Sequence, residues 1–101
     1  MFGGLIYVSS PVRSLSPQLA LDLANVYLEG AYNARHPSIA LVLCHETEVS
    51  LNHAKRAARN AKNQKVIQGI ATAYIDLGRL LEMHKHGNES QIMFKRGQKL
   101  G

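Results

Sequence analysis

Apolar residues recur three and four positions apart in four successive segments, the spacing that gathers them on one face of a 3.6-residue helix. The first segment runs from Ser16 to about Ala34, with Ala20, Leu23, Ala24, Tyr27 and Ala31 in one stripe. Ser16 stands at its N-cap and Pro17 follows in the first turn, where a missing N–H is harmless. The second runs from Pro37 to about Ala61, aligning Ala40, Leu43, Cys44, Thr47, Leu51, Ala54, Ala58 and Ala61 in a narrow, alanine-rich stripe suited to close approach of a neighbouring helix. The third reaches from about Asn63 to His84 through Val66, Ile70, Ala73, Tyr74, Leu77 and Leu81. The fourth spans Glu89 to Leu100, with Ser90, Met93, Phe94, Gly97 and Leu100 inward, and Asn88 with Gln91 has capping-box spacing. His36-Pro37 and His86-Gly87-Asn88 punctuate each pair. The pattern predicts an all-α domain in which each half is a helix, a short turn and a second helix.

The two halves can be placed in register. Ala20-x-x-Leu23-Ala24-x-x-Tyr27 corresponds to Tyr74-x-x-Leu77-Gly78-x-x-Leu81, and Ala40, Cys44 and Thr47 correspond to Ser90, Phe94 and Gly97. Tyr74, Leu77, Gly78, Leu81, Ser90, Phe94, Gly97 and Leu100 hold the spacing of the tetratricopeptide repeat without a gap, and the chain resembles that family. It departs from the pattern in places. Lys85 stands where the family has its turn glycine, Leu81 replaces a tyrosine, and Cys44 replaces an aromatic residue. The first unit also has the longer turn.

The resemblance implies two antiparallel helical hairpins, about 16–61 and 63–101, forming a fragment of a right-handed α-solenoid. An antiparallel four-helix bundle would show similar stripes. Repeat arrays usually need about three units to bury their apolar faces. The resemblance therefore implies either a piece of a longer array or self-association. It also implies function: the first helix of each unit lines a groove for an extended peptide or a partner helix. Carried over by register, that groove comprises Gln18, Leu21, Asn25 and Leu28 from the first unit and Thr72, Ile75, Arg79 and Glu82 from the second. Leu21, Leu28 and Ile75 are then apolar residues off the core, and Asn25 and Arg79 are placed to hydrogen-bond a peptide backbone or carboxylate.

Composition changes this picture in one respect. With 46% hydrophobic and 19% charged residues the chain is globular in type, and no apolar run approaches the ~20 residues that span a bilayer. Residues 1–14 read as a loosely ordered leader with room for one short strand around Leu5 to Val8, lacking the basic start of a signal peptide. With that missing signal, the single cysteine, Cys44, points to a reducing compartment, the cytoplasm. The net charge of +5, however, is not evenly spread. Lys55, Arg56, Arg59, Lys62 and Lys65 fall where no acidic residue occurs between Val49 and Ile75, and elsewhere the charges cancel. This basic surface is the alternative site, one for nucleic acid or another polyanion.

Catalytic chemistry finds little footing, and no enzyme activity or cofactor is expected. Cys44-His45-Glu46-Thr47-Glu48 lacks the second histidine that a zinc-protease helix requires, with Val49 in its place. Cys44 falls in the core stripe, and His45, His53, His84 and His86 have no standard metal spacing. A partner protein is the expected ligand.

Overall fold

The computed structural model describes residues 16–100. The leader expected at 1–14 and Gly101 lie outside the described residues. Four helices follow one another: α1 (Pro17–Asn33), α2 (Pro37–Ala61), α3 (Gln64–Met83) and α4 (Gly87–Leu100). Among the described residues none of the helices is long and apolar enough to cross a membrane.

Local chemistry sets the helix ends. Ser16 Oγ accepts the Leu19 N–H at 3.2 Å, and Asn63 Oδ1 accepts that of Val66 at 3.2 Å, so both caps satisfy donors that an isolated helix leaves orphaned. Two lysines occupy the left-handed region that favours glycine, Lys62 (φ 53°) after α2 and Lys85 (φ 64°) after α3. Lys85 stands where the register places a turn glycine, and it adopts a glycine-like backbone there. The start of the last helix differs from the expected cap at Asn88. The Ser90 N–H already bonds to the His86 carbonyl at 2.9 Å, and His86 Nδ1 lies 3.1 Å from Glu89 Oε2. His86 therefore takes the N-cap position, because Glu89 reaches back to it across the first turn.

Most of the expected stripe residues form the core, but Leu23, Tyr27 and Phe94, expected inward, are only half-buried, and Leu21, Ile67 and Leu80 join the core instead. Tyr74, Leu51, Ile70 and Leu77 are fully buried, with Ala24, Ala40, Ala54 and Ala58 between them. Small residues bring the helices together. A β-carbon on Gly78 would lie 2.7 Å from the Phe94 ring, and one on Gly97 would lie 2.8 Å from the Ala71 carbonyl. Such spacing explains the small residues of α3 and α4 by ridge-into-groove packing. Ala61, expected inward, is exposed because the chain turns away at Lys62.

Helix α1 packs on α2, α3 on α4, and α2 and α1 both pack on α3. The contact between α1 and α4 that closes a four-helix bundle is marginal at most. The body measures 43 × 31 × 19 Å, and its thinnest dimension is about two helix diameters. A slab of this kind leaves the flank of α1 and α3 open on one side, which is where a groove lies.

Candidate functional site

Helices α1 and α3 touch where Leu21 fills the space above Gly69, its Cδ2 lying 2.7 Å from where a β-carbon would stand. Further along the two helices a groove of about 490 Å³ separates them. Leu28, Tyr32, Leu80 and Met83 supply its apolar walls, and Asn25, Glu29, Asn33, Asp76 and Arg79 its polar groups. Tyr32 and Met83 are 68% and 65% exposed, far more than residues serving the core require. A large apolar side chain entering here would cover both.

Three of the eight residues assigned to the groove by register, Asn25, Leu28 and Arg79, come together in it. Two others are corrected. Leu21 is buried and packs on Gly69, and Ile75 turns toward α4, its Cδ1 lying 2.8 Å from a β-carbon placed on Gly97. The physical reason is the same for both: glycine on the facing helix draws that helix close enough for the side chain to fill the gap. Gln18, Thr72 and Glu82 are exposed but do not line the groove. Gln18 Nε2 donates to Asp22 Oδ1 at 2.8 Å, and the Thr72 hydroxyl donates to the Gln68 carbonyl at 3.1 Å.

Glu29, Tyr32, Asn33, Asp76, Leu80 and Met83 were missed. The available signal was helical: Glu29 and Tyr32 lie four and seven positions after Asn25, and Asp76 and Met83 lie three before and four after Arg79. Following those ridges toward the helix C-termini, rather than stopping at family positions, reaches them.

The charge of the groove narrows its chemistry. Arg79 lies 3.6 Å from Asp76 in a solvent-exposed pair, which contributes little to stability and leaves both groups able to exchange partners. Asn33 Nδ2 donates to the Glu29 carbonyl at 3.0 Å, which holds the amide at the groove edge with its oxygen available as an acceptor. Two carboxylates against one guanidinium suit a ligand with neutral or basic flanks better than one ending in a carboxylate.

The basic residues have a different geometry. Lys62 and Arg59 line a concavity of about 360 Å³ with Gln64, Ile67, Leu100 and, from α4, Lys99. Lys55 Nζ lies 5.9 Å from the centre of the Tyr74 ring, a cation–π arrangement over a buried aromatic. Arg56 and Lys65 are exposed and lie outside the concavity. Lys99 was missed because it is remote in sequence and reaches the cluster only by the packing of α4.

The cysteine and two of the histidines share one surface depression. Cys44 is buried, which pushes its thiol up from the ordinary range and away from the nucleophilic thiolate. It lies beside a small depression with His45, Glu48, His86 and Glu89, yet no group of three metal-ligating side chains converges among the described residues. Compared with models of protein families, with curated proteins and with solved structures, the chain matches none.

Proposed function

We propose that this domain is a protein–protein interaction module of two tetratricopeptide-like helical hairpins, seating a peptide or a partner helix in the groove between α1 and α3. The observation that carries this reading is that the groove draws Asn25 and Leu28 from the first helix of one hairpin and Arg79 from the first helix of the other. The unbroken spacing from Tyr74 to Leu100 supports it. So does the order of helix contacts, in which neighbouring hairpins meet through α2, α3 and α1 while the contact between α1 and α4 is marginal at most. On this reading the hairpins are part of a right-handed α-solenoid, further repeats or a second copy stack on its ends, and the protein works in the cytoplasm without catalytic activity.

The mechanism is insertion of an apolar anchor between Leu28, Tyr32, Leu80 and Met83, with Asn25 and Asn33 bonding the ligand backbone. Peptides selected from a random display library on the wild-type chain provide the ligand for a test. Tyr32→Asp and Met83→Asp change exposed side chains, so both variants stay folded by circular dichroism, and each weakens the selected peptide at least tenfold. Retention of wild-type affinity by both variants contradicts the assignment.

A further inference from the structure

We propose that the basic end of the domain, formed by Lys55 and Arg59 of α2, Lys62 at its C-cap and Lys99 of α4, binds the phosphate backbone of double-stranded nucleic acid without reading its sequence. The site is separate from the groove and is built by convergence of two helices. Arg59, Lys62 and Lys99 share one concavity. Lys55 lies within range of the charges on Arg59, Arg96, Arg56 and Lys99 as well. Burial and then those like charges hold its ammonium below the usual lysine range.

The positive charge there is not answered from within the domain. No Asp or Glu side chain among the described residues forms an ion pair with Lys55, Arg56, Arg59, Lys62, Lys65 or Lys99. Glu48 is engaged by Arg96 at 2.8 Å. The C-terminal ends of α2 and α4 each bring about half a negative charge to this end of the molecule, so together they offset roughly one of these cations. Most of the charge remains to attract an external anion, and an anion relieves the mutual repulsion that depresses Lys55.

Shape and lining choose among polyanions. Lys55 and Arg59 lie one turn apart on α2, roughly 6 Å along its axis, and Lys62 follows at the left-handed C-cap. About 6 Å of duplex carries roughly three to four phosphates, at one charge per ~1.7 Å of axis. Single-strand binders place exposed aromatic rings among their cations to stack on bases. The aromatic ring here, Tyr74 beneath Lys55, is fully buried. A bilayer-docking face needs apolar side chains beside the charge to enter the acyl region. The apolar residues that line the concavity, Ile67 and Leu100, are buried and half-buried, and the exposed large apolar residues, Leu19, Val26, Tyr32, Ile39, Val42, Met83 and Ile92, all lie outside this cluster. A rigid, regularly spaced phosphate array fits what is left.

Fluorescence anisotropy of the full chain with labelled 20-base-pair DNA and RNA duplexes of mixed sequence, a single strand and phosphatidylserine vesicles tests this. The expected result is duplex binding preferred over the single strand and the vesicles, with log affinity falling against log salt at a slope of about −3, for three to four phosphates contacted. Arg59→Gln with Lys99→Gln, both at exposed positions, reduces duplex affinity at least tenfold at low salt and lowers the slope by about 2. Lys85→Gln, remote from the cluster, leaves both unchanged. Preference for vesicles or the single strand, absence of salt-dependent duplex binding, or an unaltered slope in the double variant overturns the proposal. Groove variants at Tyr32 and Met83 leave duplex binding intact, which keeps the two sites distinguishable.

Discussion

Leu21 of α1 lies directly over Gly69 of α3, its Cδ2 2.7 Å from the position of a β-carbon there. The contact fixes how closely the first helices approach, and hence where the groove begins. Leu21→Asp places a charge at a site only 5% exposed and should unfold a domain whose total stability is about 5–15 kcal/mol. Loss of helical signal at 25 °C checks this, and a folded variant contradicts it.

The three close glycines are not equivalent. At Gly69 the obstacle is the end of a flexible leucine, whereas at Gly97 it is the Ala71 backbone carbonyl at 2.8 Å together with Ile75. Alanine gains ~1 kcal/mol of helix propensity at either position. Gly69→Ala should therefore stay within about 1 kcal/mol of wild type, while overpacking makes Gly97→Ala destabilising by about 1–3 kcal/mol. Urea denaturation of both variants measures the contrast.

Lys85 at φ 64° carries a side chain in a conformation that costs non-glycine residues about 1–2 kcal/mol. Lys85→Gly should stabilise the domain by about 1 kcal/mol, after the greater chain entropy of glycine is counted. For a chain of this length that corresponds to a Tm about 4–8 °C higher by calorimetry. A lower Tm contradicts the strain argument.

Ser50 and Ser90 bury their hydroxyls without a hydrogen-bond partner among the described residues. Ser90 lies fully buried against α3, its carbonyl 3.1 Å from where a Gly78 β-carbon would stand. Ser90→Ala removes an unsatisfied polar group and improves helix propensity, so it should stabilise by roughly 0.5–2 kcal/mol. Destabilisation on chemical denaturation would show that the hydroxyl has a partner.

Burial pushes the Tyr74 phenol up from 10 to about 12, against the opposing positive charges of Arg96 and Arg59, while its hydroxyl donates to Asn52. The folded chain therefore keeps this proton over a range where the unfolded chain has lost it. Stability from this source is complete below about pH 10 and falls as the pH rises toward 12, by roughly 2–3 kcal/mol. Tyr74→Phe removes the titration, so its stability should decline less steeply than wild type between pH 9 and 12. Parallel profiles contradict the assignment.

Much of the fold was legible because it depends on local rules. Ser16 caps the helix it was expected to cap, the third helix starts beside Asn63 as its stripe predicted, and the stripes through Leu51, Ile70, Tyr74 and Leu77 enter the core. The site was less legible because it depends on the separation between helices. Nothing in the spacing of Leu21 and Leu28, one helical face seven residues apart, reveals that Gly69 draws the first into the core while the second borders open space. Lys99 was hidden for a related reason, since it joins Arg59 and Lys62 only after α4 has packed.

The central claim is that the groove between α1 and α3 receives the ligand. Amide chemical-shift mapping of the full chain with a peptide selected from a random library measures this directly. The account predicts that the largest perturbations fall within 25–33 and 76–83. Perturbations centred on the exposed apolar residues Ile39 and Val42 of α2, or on the basic end at 55–62 and 99, would contradict it.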